Sequence, residues 1–487
     1  MFVFYPGLRF DLQIVMQVGV LFALLYLLRQ YKKDNVSVLL LLMFFPSIFI
    51  FLGSAVNNLY KIVVLAYTIY CTYRRKVWHL KSKINQLWTG AFVLFTVAFF
   101  VAVSQSTGNT ITIIFSQYAR YLEIYCLYFL LQDAIGKRQQ GKMLLQLFYQ
   151  IFLVQILISV LKFILFNGRQ IESLVGSLSI IGGAMGTTIP IFGFIILWFY
   201  RNRRMTWKDG LFVAGLLLIG FTTGKRAVWF VLPVVIAAFM VYVQGIRLNK
   251  YIVLGIAAIP IVFYFGARLT PSLNPEHKVW GSFDLEYMFD YAETYQFGEE
   301  GLSVSNNKKN VLLSSVDGRL VENDTRTAAG RGNATIELFK LMFSGEANQQ
   351  DWIGLGFSAM YSTDYGEFLE LPLTIKLAYK GAATGMFQSY VTTGILGVIT
   401  TIIFCFLPFF FIHHIRLRWV LLGIVAWEYF MYTGIMFRTP AFMAVFLFAL
   451  FYSNQQIEVA QWRKKERKCL QQMKDTTYET INHSTRI

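Results

Sequence analysis

Two adjacent cations, Lys225 and Arg226, stand in the sequence TTGKRAVWF, in a four-residue break between two apolar runs. An arginine offers planar, bidentate donors to a phosphate, and a helix N-terminus adds backbone N–H groups to such a site. The pair, beside a glycine-containing turn, therefore indicates an anion site for a phosphate or diphosphate. The alternative is that a short loop directs two long side chains toward lipid headgroups.

Other ionisable residues fall inside or at the ends of apolar runs. Arg120 and Glu123, in SQYARYLEIY, are three residues apart and so share one helical face. An ionisable group inside a membrane costs roughly 3 kcal/mol unless it is paired or hydrated, so it marks a functional cavity by default. An internal structural ion pair is the alternative reading. Glu428 is a similar carboxylate within a span. Three further cations at span ends are candidate substrate-binding residues: Lys162, Arg169 and Arg438.

A polar stretch later in the chain contains one segment with helical periodicity, AGRGNATIELFKLM, residues 329–342. Its apolar positions predict an amphipathic helix lying on the outer bilayer surface, with Asn333 or Thr335 as the N-cap. Arg331 lies near the helix start, and Glu337 lies in its first turns. The sequence WIGLGFSAM follows, and its glycines predict a turn.

The elements that must position these residues are predicted from composition. The chain has 487 residues, of which 56% are hydrophobic and only 15% are charged, and its mean hydropathy is +0.51. These values are typical of an integral membrane protein and not of a soluble globular one. We therefore expect an all-α, polytopic integral membrane protein, since a barrel would show short alternating strands.

About 12 or 13 apolar runs are long enough, or nearly long enough, to cross a hydrocarbon core of about 30 Å. The predicted spans are 11–28, 36–53, 58–73, 87–104, 112–131, 143–166, 177–200, 209–223, 226–244, 251–267, 388–412, 419–436 and 439–453. The chain then divides into four regions. These are spans 1–10 in residues 1–266, one large extracytoplasmic loop at 267–385, spans 11–13 in residues 386–453, and a basic tail at 454–487.

Charge predicts the orientation of these spans. The segment 267–385 holds 16 of the 27 acidic residues but only 10 of the 44 Lys and Arg. Of the 34 basic residues elsewhere, 26 lie in every second connection or in the C-terminal tail. Because cytoplasmic connections collect Lys and Arg, the N-terminus and the large loop are predicted to face outside. The tail is predicted to be cytoplasmic, as a frayed amphipathic or disordered segment at an anionic leaflet.

Several classes of protein are excluded by the same residues. The basic residues lie in short clusters between apolar runs, so we expect no nucleic-acid partner. The four cysteines lie in predicted spans or the tail and not in the loop, which excludes an exported disulfide framework. No His, Cys or carboxylate cluster has metal-ligand spacing, and no nucleotide-binding motif is present, so no cofactor is expected.

Three segments together resemble the O-antigen polymerase and O-antigen ligase superfamily, polytopic enzymes that handle glycans carried on undecaprenyl diphosphate. The segments are TGKRAVWF, then GRGNATIELFKLM with WIGLGF, and then SYVTTGILG at the start of the span after the loop. Their order, the loop size and the predicted sidedness match that family over roughly residues 175–400. The resemblance implies a GT-C-like membrane fold in the cell inner membrane.

By position, the resemblance implies that Arg226 and Arg331 contact a lipid-linked diphosphate. The implied reaction is glycosyl transfer, in which the arginines stabilise the leaving diphosphate and Glu337 is a candidate base. Lys225, Arg120, Arg438, Lys162 and Arg169 are the expected substrate-binding residues. Expected partners are the undecaprenyl-diphosphate-linked oligosaccharide, membrane lipid and a chain-length regulator protein.

The sequence departs from the ligase pattern at one position. Ligases carry a His-Asn pair about 11 residues before the glycine of T-G-I-L-G, whereas this chain has Ala383 and Thr384 there. The departure favours a polymerase of O-antigen or exopolysaccharide repeat units. A ligase, and a flippase or secondary transporter for lipid-linked oligosaccharides, remain alternatives; the sequence shows no internal repeat of the kind common in transporters.

The predicted orientation can be tested with reporter fusions. A reporter that is active only in the periplasm should be active when fused at Ser315, in the large loop, and silent when fused at Lys474, in the tail. The reverse result would show that the predicted orientation is wrong.

Overall fold

The computed structural model describes residues 10–106, 114–165, 175–178, 185–201, 206–223, 227–243, 260–261, 263–270, 273–276, 280–290, 315–316, 319–320, 331–357 and 384–484. Within these ranges the chain is almost wholly helical. The one described ladder is a two-residue antiparallel pair, β1 (Ser315–Val316) with β2 (Arg319–Leu320). The predicted all-α class is therefore confirmed.

The helices of the first half are α1 (Phe10–Tyr31), α2 (Asn35–Phe44), α3 (Ser47–Phe51), α4 (Ser54–Arg75), α5 (Lys83–Gln105), α6 (Ala119–Gly136), α7 (Arg138–Leu165), α8 (Met185–Tyr200), α9 (Trp207–Thr222) and α10 (Ala227–Ala237). Those after the ladder are α11 (Arg331–Ser344), α12 (Gln349–Ile353), α13 (Gly385–Phe410), α14 (Ile415–Ala426) and α15 (Pro440–Ser484). π-Helical turns lie at Ile114–Tyr118, Ala238–Val243 and Trp427–Met431, and a 3-10 turn lies at Ile435–Arg438.

Four of these helices are long and apolar enough to cross a membrane: α1, α5, α7 and α13. Their most apolar windows have mean hydropathies between 1.9 and 2.2. Four shorter apolar helical segments accompany them, at Asn35–Phe44, Met185–Tyr200, Asp209–Thr222 and Ala227–Val243. This pattern indicates a membrane protein, because backbone polar groups in lipid must be satisfied within helices.

Aromatic side chains join the central helices. The helix α13 packs along α5, and α15 packs along α6. Trp88 of α5 is fully buried, with its ring stacked 4.9 Å from that of Tyr128 on α6 and 4.4 Å from that of Phe404 on α13. Such pairs add about 0.5–1.5 kcal/mol beyond burial, so this stack fixes three helices against one another.

Three connections that were predicted to share one side of the membrane meet at one end of the bundle. Arg75, in the last turn of α4, forms ion pairs with Asp34 at 2.8 Å and with Asp133 of α6 at 3.0 Å. Asp34 also caps α2 by accepting a hydrogen bond from the Ser37 N–H at 2.9 Å. One arginine therefore ties together the ends of α2, α4 and α6.

Some predicted span boundaries differ from the observed helices. The predicted span 36–53 is broken into α2 and α3, because Pro46 has no N–H to continue the helix. Within the predicted span 177–200, the described helix is α8, Met185–Tyr200, whereas the described residues 175–178 are buried and non-helical. The tail was predicted to be a frayed amphipathic or disordered segment; it is not disordered up to Ser484, since α15 continues as one 45-residue helix.

The loop helix α11 exists as predicted, but its start and location differ. It begins at Arg331, so Asn333 and Thr335 lie inside the helix and neither is the N-cap. Thr335 instead donates a hydrogen bond to the carbonyl of Phe430 at 2.7 Å. Leu338 is fully buried, and α11 packs on α13 and on the π-helical turn Trp427–Met431. The helix is therefore part of the bundle and does not simply lie on a bilayer surface.

The long helix α13 is broken at Gly394, where φ is 68° and ψ is −172°. In a regular helix the carbonyls of Val391 and Thr392 would accept hydrogen bonds from the N–H groups four residues on. Here the N–H of Leu355 donates to the Val391 carbonyl at 2.9 Å, and the N–H of Gly356 donates to the Thr392 carbonyl at 3.0 Å. The segment 354–357 thus completes the hydrogen bonding of the broken helix.

This docking requires glycine on both sides. A Cβ atom on Gly394 would lie 2.3 Å from the carbonyl oxygen of Trp352, and one on Gly354 would lie 2.5 Å from the backbone nitrogen of Gly394. Both glycines also have positive φ, 68° and 76°. The G-L-G sequence at Gly354 and the T-G-I-L-G sequence at Gly394 therefore contact each other through their backbones.

We expect Gly394→Ala and Gly354→Ala each to destabilise the protein, because the positive φ alone costs an alanine about 1–3 kcal/mol and the backbone clash adds to it. The measurement is thermal unfolding of the purified protein in detergent. Gly423→Ala is the matched control, since nothing lies within 4 Å of a Cβ on this α14 glycine. A Gly394→Ala protein that melts like the wild type would contradict the proposed contact.

Candidate functional site

The segment 354–357 is held in place by side chains as well as by backbone. Asp351 of α12 is fully buried, caps its own helix with Asn348, and accepts a hydrogen bond from the Tyr390 hydroxyl of α13. At the other end, the N–H of Phe357 donates to Ser106 Oγ, just after α5, at 2.8 Å. The segment is therefore fixed against α13 at one end and α5 at the other.

A cavity lies between this segment, α5, α6, α13 and the 3-10 turn. Its lining residues are Phe95, Phe99, Gln117, Tyr121, Phe357, Ser389, Thr392, Thr393, Thr401 and Arg438. It encloses about 380 Å³ of empty space including its open mouth. Its enclosed part holds a few water molecules, so a larger ligand requires side chains to move.

One of the predicted substrate-binding arginines, Arg438, lines this cavity, and a second, Arg120, contacts the backbone of the first. Arg120 Nη1 donates a hydrogen bond to the backbone carbonyl of Arg438 at 3.5 Å, across 318 positions of sequence. The Arg438 side chain lies close enough to the hydroxyl of Tyr121 to interact with it. The guanidinium of Arg438 gives the cavity a group that can bind an anion.

Glu123 is a buried carboxylate of α6 near Arg120 and α4. Its side chain is only 7% exposed, and it interacts electrostatically with Arg120 and with Tyr60 of α4. Lys61 of α4 adds a further cation close enough to interact with Arg120. Arg120 and Glu123 therefore lie close to each other on α6, as their spacing of three residues predicts.

Glu428 is also buried, as expected for a carboxylate within a span. It lies in the π-helical turn Trp427–Met431, and its backbone carbonyl accepts a hydrogen bond from the Gly434 N–H at 2.9 Å. A second carbonyl of the same turn, that of Phe430, accepts a hydrogen bond from the Thr335 hydroxyl of α11. The loop helix α11 is thus hydrogen-bonded to the π-helical turn that directly follows α14.

Glu337, the candidate base, lies on α11 and pairs with Lys340 at 2.5 Å. Its side chain is 30% exposed, and it is not among the residues that line the cavity. The backbone of Arg331 begins the same helix, although its side chain is not described. Arg169, Lys225 and Arg226 lie outside the described residues.

Lys162 has surroundings that differ from the prediction of a substrate-binding residue. It is 1% exposed, and its Nζ donates to the carbonyl of Gly176 at 2.5 Å and to that of Val175 at 3.4 Å. Ser159 Oγ, one turn earlier on α7, accepts from the N–H of Gly176 at 2.9 Å. Gln155, a further turn back, bonds both the N–H and the hydroxyl of Ser177.

This short segment also reaches the break between α2 and α3. The carbonyl of Ser177 accepts from the N–H of Ser47 at 3.0 Å, and the hydroxyl of Ser177 donates to the carbonyl of Phe44 at 2.6 Å. One face of α7 therefore binds a non-helical segment inside the bundle. This geometry gives Lys162 a structural role.

Thr392 and Thr393 lie in the quoted segment SYVTTGILG, and Phe357 lies in WIGLGF, but no pattern in the sequence predicts that they line a cavity. Phe95 and Phe99 of α5 carry no signal in the sequence beyond their apolar character. Asn348 and Asp351 are three residues apart, which is the spacing of a capping box at the start of a helix. Thr384, which occupies the ligase His-Asn position, is the N-cap of α13 and accepts from the Phe387 N–H at 3.2 Å. Within the described ranges, no three His, Cys, Asp or Glu side chains converge as a metal site requires.

Comparison of the chain with protein-family models, with curated proteins and with solved structures found no match. The resemblance carried by the three motif segments therefore stays a prediction. The contact between two of those segments, at Gly354 and Gly394, is an observation of the structure that does not depend on it.

The structural role of Lys162 predicts that Lys162→Met lowers the stability of the protein. The substitution leaves two buried carbonyls without their amine donor, which costs about 1–3 kcal/mol. Thermal unfolding in detergent measures the loss. Lys137→Met is the control, because this lysine is 64% exposed and only forms a surface pair with Asp133. If Lys162→Met kept full stability but lost substrate binding, the structural role would be wrong.

Proposed function

We propose that this protein is a polysaccharide polymerase: a glycosyltransferase that moves a growing glycan from undecaprenyl diphosphate onto a lipid-linked repeat unit. The observation that carries the proposal is the docking of the segment 354–357 on the helix break at Gly394, beside Arg120 and Arg438. Two segments that resemble the superfamily thus contact each other next to a cavity lined by Arg438, a cation suited to an anionic leaving group.

In the proposed reaction, a hydroxyl oxygen of the lipid-linked acceptor forms a bond to the anomeric carbon of the donor glycan. The bond from that carbon to the diphosphate oxygen breaks, and its electron pair leaves with the diphosphate. Arginine donors stabilise the charge that develops there, where each well-placed donor typically contributes about 3 kcal/mol. The acceptor proton passes to a carboxylate, for which Glu337 is the proposed base. The proposal requires no metal and no cofactor.

The proposed setting is the cell inner membrane, crossed about 12 or 13 times. The large loop at 267–385 and the N-terminus face outside, and the C-terminal tail is cytoplasmic. Support comes from the Lys and Arg bias of the connections and from the charged cluster of Arg75 with Asp34 and Asp133, which lies on the predicted cytoplasmic side. The diphosphate would then be bound at the outer face, where the loop segments pack on α13.

A transporter for the same lipid-linked oligosaccharide is the second candidate. The observation that favours it is the break of α13 at Gly394, because discontinuous membrane helices are a common feature of transporter binding sites. The two functions differ in product: a polymerase lengthens the glycan, whereas a transporter moves the lipid between leaflets without changing it.

The arginines can be tested with purified protein and lipid-linked repeat units in detergent, where no leaflet has to be crossed. The wild type should form long-chain glycan. Arg226→Lys, Arg331→Lys and Arg438→Lys should each reduce the rate strongly, by roughly 100-fold for a lost transition-state donor, because lysine keeps the charge but not the planar fork. Gel analysis of chain length and a timed incorporation assay provide the readouts.

Arg74→Lys is the control, since Arg74 is exposed in the last turn of α4, at the opposite end of the bundle. Normal chain length in both the Lys and the Ala variants at all three positions would rule out the proposed site. If the wild type forms no polymer but equilibrates the labelled lipid across vesicles, the transporter is the correct function.

A further inference from the structure

Residues 280–290, early in the large loop, pack back onto the end of the helical segment 263–269. Met288 is buried in a small apolar cluster, whose other members are Trp229 of α10, Ala267 and Leu273. A Cβ atom on Gly266 would lie 2.5 Å from the Trp229 ring, so the segment 263–269 packs closely on α10. The start of the loop is therefore held against the helices and does not simply extend away from them.

Arg268 fixes Trp280 at the beginning of this loop segment. The N–H of Gly281 donates to the carbonyl of Arg268 at 3.0 Å, and Arg268 Nε donates to the carbonyl of Gly281 at 2.8 Å. The guanidinium carbon of Arg268 lies 4.6 Å from the ring centroid of Trp280 and 5.5 Å from that of Tyr264. Trp280 has a positive φ of 68°, which is an uncommon conformation for a bulky residue. Aromatic rings with a cation at the end of an apolar helix are typical of a membrane interface.

The helical residues 285–290 have three different sides. Met288 packs against the bundle. Because each residue of an α-helix is rotated by about 100° from the one before it, Leu285 and Phe289 form a stripe about 80° around the helix from Met288. Glu286 and Asp290 form a second stripe about 100° further round. All four side chains of the two stripes are exposed, so an exposed apolar stripe lies between the bundle and an acidic stripe.

The apolar stripe continues the exposed apolar surface of the preceding helical segment. Large apolar side chains that are exposed in the described parts of 260–290 include Ile261, Tyr264, Phe265, Trp280, Leu285 and Phe289. The first three lie near the end of the predicted span 251–267, where lipid covers exposed apolar groups. The ring centroids of Phe265 and Trp280 are 5.9 Å apart, which joins this surface to the loop. An apolar patch of this kind is unfavourable in water and marks an interaction surface.

We propose that residues 280–290 lie in the interface of the lipid bilayer, with Leu285 and Phe289 among the acyl chains near the headgroups and with Glu286 and Asp290 in water. The partner of this surface is lipid. Interfacial helices bury their apolar face about 5–10 Å into the boundary of headgroups and acyl chains. The water-facing stripe is acidic, so apolar burial and not attraction to anionic headgroups holds the segment. This anchor keeps the large loop at the membrane as far as Asp290, and it does not depend on the proposed reaction.

The test measures the depth of a fluorescent label on the full-length protein in nanodiscs of phosphatidylethanolamine and phosphatidylglycerol. Cys71, Cys126 and Cys405 are buried, so a Cys469→Ser background leaves an introduced cysteine as the site for a nitrobenzoxadiazole label. With Phe289→Cys, the emission should shift to shorter wavelength. Lipid with a nitroxide near the glycerol end of its acyl chain should quench this label, and aqueous iodide should not. Leu285→Cys, on the same stripe, should give the same result.

Glu286→Cys is the matched control on the acidic stripe, and its label should be quenched by iodide and not by lipid. Phe22→Cys calibrates the depth, because Phe22 is exposed on α1, a helix long and apolar enough to cross the membrane, and should respond most to a nitroxide near the methyl end of the acyl chain. Quenching of the 289 label by iodide would place the stripe in water and overturn the proposal. Protection from both quenchers would show that protein covers the stripe, and strongest quenching by the deep nitroxide would place it inside the hydrocarbon; either result also overturns the proposal.

Discussion

The structure depends on the need to satisfy backbone hydrogen bonds wherever a helix is interrupted inside an apolar bundle. No water is available in hydrocarbon, so each freed carbonyl or N–H needs a partner from the protein. At Gly394 the partner is the backbone of Leu355 and Gly356. At the Pro46 break, the hydroxyl of Ser177 donates to the carbonyl of Phe44. At the π-helical turn Trp427–Met431, the hydroxyl of Thr335 donates to the carbonyl of Phe430.

Each of these partners joins segments that are distant in sequence, so the breaks determine the tertiary structure. The pairing of Ser177 with Phe44 spans 133 positions, and the pairing of Thr335 with Phe430 spans 95. An uninterrupted helix bundle could shift along its helices, because apolar contacts are not directional. The broken helices instead fix the register of α7 against α2 and of the loop segments against α13.

The sequence predicts the long apolar helices well, since length and hydropathy determine them. It also identifies Arg120 and Arg438 as unusual, because an ionisable residue in an apolar run is costly wherever it lies. It does not predict which of these cations serves the fold. Lys162 and Arg438 look alike as cations at span ends, yet Lys162 donates to two backbone carbonyls inside the bundle and Arg438 lines a cavity. Only the partners across the fold separate the two cases.

The helix break also accounts for the cavity beside Gly394. A continuous helix would carry its side chains past α5 at close packing distance, as it does where Trp88 stacks on Phe404. At the break, the backbone of the segment 354–357 packs on α13, where a helix would otherwise pack. This segment places Phe357 in the lining of the cavity. The same carbonyls that require a partner therefore create the space beside Arg438 in which a ligand can be held.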